Sequence, residues 1–398
     1  MAGKKRNKVK SEDVAGFKYF KVLAGMLEAL HDAACARDRA HNRTLHMDQY
    51  VTLLLMYMFN PICSSLRAIQ EASELKKVQR VLKVPRAALG SLSEAARVFD
   101  SDLLIGIIGE LVEQVRPVRH DAKLSDFDQI ITLVDGSWLP VISKATWALF
   151  RNDDRHKAAK AHVQFELLKG VPVAATITDA NSSEHTVLAE RLEAGRLYVL
   201  DRGYARYELL ESIAAARSSF ICRLQDNAVL EVIEERLLDD DAIKAGVVRD
   251  AVVRLGCKAT RGKLARDVRI IEVECTPHRK SSGKTARGGP EQGDTILIVT
   301  DRLDLPADVV ALLYRCRWQI EIFFRFFKHV LGCRSLLSTD KNGIELETYA
   351  AIIACLLIAL WTGRKPTLST YRMLCFYFTG WADEEELHAH MARLQKQA

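Results

Sequence analysis

The sequence predicts an α/β protein whose strand-forming middle is flanked by helices at both ends and interrupted by a β-rich insertion. Three observations predict it. Apolar residues recur at helical spacing from Val14 to about Val118, the pattern changes to short β-branched runs at Phe127, and helical spacing returns after Pro306. The chain has 398 residues, 48% of them hydrophobic, which is enough for a large core and suggests two or three domains. A charged content of 27% excludes a disordered or fibrous chain. The net charge of +6 permits a polyanionic partner without demanding one.

The first dozen residues carry Lys4, Lys5, Arg6, Lys8 and Lys10, a basic tail that either touches nucleic acid or simply keeps the end in solvent. No uniform apolar run follows it, so it is not read as a secretory signal. Phe17, Phe20, Leu23 and Leu27 then recur at three to four, and Val51 to Phe59 is apolar almost all round, as in a buried helix. Ser91 with Glu94 three residues later reads as a capping box ahead of a short helix.

From Ile130 to Val134 a continuous apolar run predicts a strand covered on both faces. Ala161 to Leu168 alternates, with Val163, Phe165 and Leu167 on one side and His162, Gln164 and Glu166 on a polar side. Lys169-Gly170 supplies a turn, and Val171 to Thr178 completes a hairpin. Helices are expected at Glu184 to Leu192 and Tyr204 to Ala215, with short buried strands at Leu197 to Leu200 and Phe220 to Leu224. Strand, hairpin, helix, strand, helix, strand is the order of a ribonuclease-H-like core. The stretch 225–305 breaks that rhythm with strands at Val247 to Leu255, Val268 to Glu274 and Thr295 to Thr300, and reads as an inserted, mainly β subdomain. Its basic loop carries Arg279, Lys280, Lys284 and Arg287, suited equally to DNA backbone contact or to solvent. Pro306 opens one long helix to about Leu331, and helices at Ile344 to Trp361, Leu368 to Phe378 and Glu384 to Leu394 close the chain. Four regions result: 1–12, 13–122, 123–338 with the insertion at about 225–305, and 339–398.

The longest apolar stretch, Ala350 to Trp361, falls short of the roughly 20 residues that cross a bilayer. Nine cysteines are scattered with no pair at zinc-site spacing, so they read as free thiols of a reducing cytosol. A soluble cytoplasmic protein with no membrane partner is expected.

Asp135 directly follows the run ending at Val134, and Asp201 directly follows Leu197 to Leu200. Ligands of open α/β sheets collect at the carboxyl ends of strands, so these two acids are placed to share one, although each also suits a turn cap. In the long helix Tyr314, Arg317, Glu321 and Lys328 are spaced by three, four and seven residues. At about 100° per residue they fall in a stripe roughly 60° wide. Trp318, Phe323, Phe324, Phe326 and Phe327 cover the other faces. Simple intrahelical pairing of Arg317 with Glu321 is the plainer reading, but a solvated helix has little reason to surround such a stripe with five aromatics. Three gathered carboxylates repel unless a cation holds them, and Mg²⁺, with its preference for hard oxygen ligands, is the natural candidate. Two such ions about 3.5 to 4 Å apart would serve cleavage or transfer of a phosphodiester.

Tyr314, Arg317, Glu321 and Lys328 match at every position the tyrosine-arginine-glutamate-lysine signature of DDE transposases of the insertion-sequence-four type. Asp135 and Asp201 match that family's two aspartates, the second in its Asp-Arg-Gly-Tyr context. Ser65-Leu66-Arg67, Ser91-Leu92-Ser93, Ala161-His162 and Gly170-Val171-Pro172 resemble other parts of it, so the likeness runs from about Gln49 to Leu331. The resemblance implies catalysis by Asp135, Asp201 and Glu321 on two Mg²⁺ ions, with Mn²⁺ as a substitute. It also implies excision of an element at its terminal inverted repeats and strand transfer into target DNA, by a homodimer acting at the bacterial nucleoid. Under it Tyr314, Arg317 and Lys328 hold DNA phosphates, the N-terminal helices read the element ends, and no histidine base is needed. Arg202 binds phosphate or pairs with a nearby acid, His162 is read as structural, and Trp138 as a core residue. The alternatives are a catalytically silent, transposase-derived DNA-binding protein and a nuclease of this fold without strand transfer.

Overall fold

Five strands reproduce the predicted core. In the computed structural model β1 (Ile130–Pro140) pairs antiparallel with β2 (Ala158–Glu166), which pairs antiparallel with β3 (Val171–Asp179). On its other side β1 pairs parallel with β4 (Arg196–Leu200), and β4 parallel with β5 (Ser219–Arg223). Strands β4 and β5 are buried on both faces, as parallel strands between helices must be. The structure describes residues 23, 25–31, 43–118, 121–125, 127–140, 145, 147–148, 158–257, 261–275, 294–330 and 336–396. The basic tail, Phe17, Phe20 and the loop with Arg279, Lys280, Lys284 and Arg287 lie outside the described residues.

The segment 225–305 is β-rich as expected but does not stand apart as a subdomain. It forms β6 (Leu230–Glu235), β7 (Val247–Leu255), β8 (Val268–Glu274) and β9 (Thr295–Thr300), an antiparallel run that continues the same sheet. The order is β3-β2-β1-β4-β5-β9-β8-β7-β6. The reason lies at β5, whose outer edge presents unpaired N–H and C=O groups. Strand β9 covers them, with Ile221 opposite Thr300 and Arg223 opposite Ile298.

Two further expectations are corrected in this region. Strand β1 does not end at Val134. Its parallel pairing with β4 stops at Leu133, opposite Val199, while its antiparallel pairing with β2 runs on to Pro140, opposite Ala158. From Val134 onward β1 is therefore paired only with β2, and Asp135 lies on this one-sided stretch. The polar side of β2 is not solvated either, because His162, Gln164 and Glu166 are buried. Val187, Leu188 and Arg191 line the space over His162 and Gln164, and Gln164 donates to the Arg191 carbonyl at 3.3 Å.

Before the sheet come α1 (Met47–Phe59), α2 (Leu66–Ser73), α3 (Lys76–Leu82), α4 (Leu89–Val98) and α5 (Leu103–Gln114). Ser65 caps α2 by accepting from the Ala68 N–H at 3.2 Å. The capping box at Ser91 and Glu94 is absent. Helix α4 starts at Leu89, which puts both residues inside it, and Glu94 pairs instead with Arg43 at 3.5 Å. Between strands lie α6 (Glu184–Ala189), α7 (Tyr207–Ala215) and α8 (Asp240–Lys244).

After β9 the single long helix is two: α9 (Ala307–Cys316) and α10 (Trp318–Val330). At the junction the backbone changes to i→i+3 bonds, Arg317 N–H to the Tyr314 carbonyl and Ile320 N–H to the Arg317 carbonyl, both at 3.1 Å. Phe323, Phe324, Phe326 and Phe327 are buried, and Phe323 packs on Phe165 of β2 with ring centroids 5.3 Å apart.

The closing helices are α11 (Lys341–Thr362), α12 (Leu368–Phe378) and α13 (Glu384–Lys396). By length and composition α11 is apolar enough to cross a membrane, but 89% of its most apolar window is buried within the protein. It packs on α1, α4 and α5 on one side and on β3 on the other. Asn342 ties its first turn to the carbonyls of Ala96 (2.8 Å) and Phe99 (2.7 Å). Midway along, Glu347 is buried and accepts the N–H groups of Leu337 (3.0 Å) and Ser338 (2.8 Å). Burial outweighs those two donors and pushes its carboxyl up to about 8. A raised acid is bound to its proton more tightly in the folded chain, so its contribution to stability is full below the unfolded carboxyl range and is lost as pH rises through about 8. The stability gap between the native chain and Glu347→Gln is therefore expected to shift in favour of the variant from pH 5 to 8, as read by urea denaturation. A gap independent of pH over that window would refute it.

Candidate active site

The open side of β1 and the end of β4 create the site. Asp135 stands two residues beyond the last parallel pair, Leu133 with Val199, and Asp201 is the first residue after β4, so the two acids stand at the carboxyl ends of adjacent parallel strands. Each bonds to a following backbone N–H: Gly136 to Asp135 at 2.7 Å, and Gly203 to Asp201 at 2.8 Å. Asp201 thus does cap a short 3₁₀ turn, Arg202–Tyr204, and also faces its neighbour. Burial pushes the Asp135 carboxyl up to about 7, helped by the charges of Asp201 and Glu184 and opposed by the Gly136 N–H and Arg317.

Arg317 sits at the α9–α10 junction and joins the third acid to the first. One terminal nitrogen lies 3.6 Å from Asp135 Oδ2, and the other donates to Glu321 Oε1 at 2.7 Å. The intrahelical pair is real, and it is part of the site. Tyr314 is largely buried with Arg317, Arg223, Cys222 and Asp201 as its charged or titratable neighbours, and burial pushes its phenol up. Lys328 is not brought into this cluster. It lies in the last turn of α10, seven residues beyond Glu321, half-buried and without an ion pair among the described residues. Arg202 is exposed and lies 3.5 Å from Asp226, whose other oxygen is 3.7 Å from Arg223.

His162, read as a satisfied structural residue, is buried but only half satisfied, with Nδ1 unpartnered among the described residues. Its Nε2 is 2.8 Å from Thr178 Oγ1, and burial with Lys160 nearby pulls it down to about 4, leaving it neutral. Trp138 is corrected: it is 49% exposed instead of packed in the core, because it stands on the one-sided part of β1.

Three groups near the acids went unread in the sequence. Arg223 ends β5 beside Tyr314. Lys160, on β2 opposite Trp138, makes an ion pair of 2.6 Å with Glu184 in the first turn of α6. The available signal was a pair of glycines. A Cβ at Gly136, just after Asp135, would stand 2.6 Å from Glu184 Oε1, and one at Gly203, just after Asp201, would stand 3.5 Å from Glu184 Oε2. Both glycines leave room for another side chain.

The donor set fits a hard divalent cation: every acid offers oxygen, and at Asp135 burial and the charges of Asp201 and Glu184 outweigh the Gly136 N–H and Arg317. Among the described residues no three acids, histidines or cysteines already stand together at ligating distance, since Arg317 lies between Asp135 and Glu321.

A mixed sheet with two acids at parallel strand ends and a third on a helix beside them belongs to the class of α/β folds that gather ligands at the carboxyl edge of the sheet. The chain belongs to the transposase DDE domain family, whose profile matches residues 126–357, more than half of it. A putative transposase of Sinorhizobium fredii is 32% identical over 235 residues, 58% of this chain and 60% of that protein. The transposase for insertion sequence element IS421 of Escherichia coli is 25% identical over 324 residues, 74% of this chain and 80% of that one. A probable transposase for insertion sequence element IS5377 of Geobacillus stearothermophilus is 23% identical over 277 residues, 69% of this chain and 67% of the relative. The cryo-EM structure of a piggyBac transposase synaptic complex with hairpin DNA aligns over 97% of this chain and 85% of its own, with 8% identity and a TM-score of 0.44. The resemblance read from the signature residues is met at the level of the family.

Proposed function

We propose that this chain excises a DNA element at its terminal inverted repeats and joins the freed ends to target DNA, with Asp135, Asp201 and Glu321 holding two Mg²⁺ ions for which Mn²⁺ substitutes. The observation that carries the reading is Arg317, which spans Asp135 and Glu321 and so ties the signature helix to the strand-end acids. Bound ions would activate the attacking oxygen and stabilise the leaving one. The chain's own residues do the rest. Asp135 and Asp201 are fixed by backbone N–H groups, so their carboxylates arrive already oriented. Arg317 has the planar fork that suits a phosphate once its acids are neutralised. Tyr314, Arg202 and Arg223 extend this basic rim along the carboxyl ends of β4 and β5, and Lys328 continues it along α10. Double-stranded DNA is the partner, engaged by a homodimer at the nucleoid of the bacterial cytoplasm.

A labelled duplex carrying the terminal repeat should be nicked by the purified protein in Mg²⁺ or Mn²⁺ and left whole in chelator. Tight DNA binding with no cleavage in either metal would overturn the reading in favour of a silent DNA-binding protein. Lys328→Ala should slow nicking roughly tenfold or more, as expected for losing one charged phosphate contact, with Mn²⁺ binding unchanged. Native cleavage by that variant would return Lys328 to an ordinary solvated face.

A further inference from the structure

We propose that Glu184 is a fourth acidic ligand of the cation site, held in reserve by Lys160, whose ammonium occupies it when no divalent ion is present. The inference rests on the metal-dependent reading of Asp135 and Asp201 above. Its first support is position. The Glu184 carboxylate lies between the two aspartate loops, with Oε1 over Gly136 and Oε2 over Gly203, and a Cβ at Gly203 would stand 3.1 Å from Asp201 Oδ1 and 3.5 Å from Glu184 Oε2. Its second support is the Lys160 contact. The pair is 2.6 Å apart with side chains only 12% and 24% exposed, so both charges have lost much of their hydration. Removing hydration from an ion pair commonly costs as much as the attraction returns, which makes a purely stabilising role a weak account of it.

The third support is independent of the acids. The Tyr204 hydroxyl is fully buried with no hydrogen-bond partner among the described residues, and its charged neighbours are Glu184, Asp135, Asp201 and Arg317. It lines a cavity of about 300 Å³ together with Glu184, His162 and Gln164. The unpartnered His162 Nδ1 and Gln164 Oε1 belong to residues lining the same space, so Glu184 is backed by a largely apolar cavity that has room for water and carries a few open polar atoms. A hydrated divalent ion is the kind of ligand such a set of oxygens and open donors accommodates. Glu184 would then reach the ion by leaving Lys160, and the freed ammonium would stay close enough to Gly136 to meet a DNA phosphate.

Calorimetric titration of the full chain with Mn²⁺, without DNA, tests it. A structural ion pair suffers alike whichever partner is removed, whereas a ligand and its competitor respond with opposite sign. Glu184→Gln should weaken Mn²⁺ binding about tenfold or more, and Lys160→Met should tighten it severalfold. The double variant, which leaves neither charge unpaired and guards against misfolding, should bind as weakly as Glu184→Gln. Unchanged affinity in Glu184→Gln, weakening in Lys160→Met, or native affinity in the double variant would each overturn the proposal. Asp135→Asn separates the two levels. If it weakens Mn²⁺ binding while Glu184→Gln does not, only the fourth ligand fails. If it leaves Mn²⁺ binding untouched, the metal reading of the acids fails and this inference with it.

Discussion

Asp135→Asn, Asp201→Asn and Glu321→Gln are each expected to lower nicking of the element end by on the order of a thousandfold, equivalent to about 4 kcal/mol of barrier, while DNA binding persists. The amide variants isolate charge from shape. Asn at 135 keeps an oxygen for the Gly136 N–H, and Asn at 201 keeps the cap on Gly203, whereas alanine at 201 would also loosen the Arg202–Tyr204 turn. Combining two substitutions should cost little more than one, because the acids act as a unit. A time course on labelled terminal-repeat duplex reads the rate, and gel retardation of the same duplex reads binding. Native-like nicking by any one variant would remove that residue from the site.

A second large effect is expected far from the chemistry. Arg269 of β8 and Asp250 of β7 form a two-toothed pair, at 2.7 and 2.6 Å, with side chains 4% exposed. Arg269 also donates to the Leu305 carbonyl, just before the proline that starts α9. Arg269→Met leaves a buried carboxylate unpaired and should cost about 3 to 5 kcal/mol of stability. Adding Asp250→Leu should recover most of the loss, since a well-packed apolar pair replaces a desolvated ionic one at little net cost. Urea denaturation of both variants checks this. A single variant within about 1 kcal/mol of native would mean that water reaches Asp250.

Where local sequence decides structure, the sequence was legible. Strands at 247–255, 268–274 and 295–300 and the helix at 368–378 match in bounds, since β-branched runs and apolar periodicity are local signals. The two aspartates and Glu321 were legible for the same reason, each tied to one element. What remained hidden was set by pairing across the fold. No glycine or proline marks the break at Arg317, and i→i+3 bonding there leaves no compositional trace. Strand β1 continues through Asp135-Gly136-Ser137 only because β2 holds it, and those residues alone read as a turn. His162 and Gln164 look solvated in a hydropathy pattern, which does not register the cover contributed by residues after β3. Glu184 and Lys160 meet Asp135 through hairpin register and a helix entry, so no spacing rule connects them.

The placement of α11 bears on how such a chain comes into being on the ribosome. This helix packs against α1, α4 and α5 and against β3, all of which precede it in the chain. Until it emerges, β3 and the early helices lack the apolar cover that α11 gives both, and contacts so distant along the chain close slowly. Breaks or premature stops before residue 341 thus leave the apolar surfaces that α11 covers on β3 and the early helices exposed.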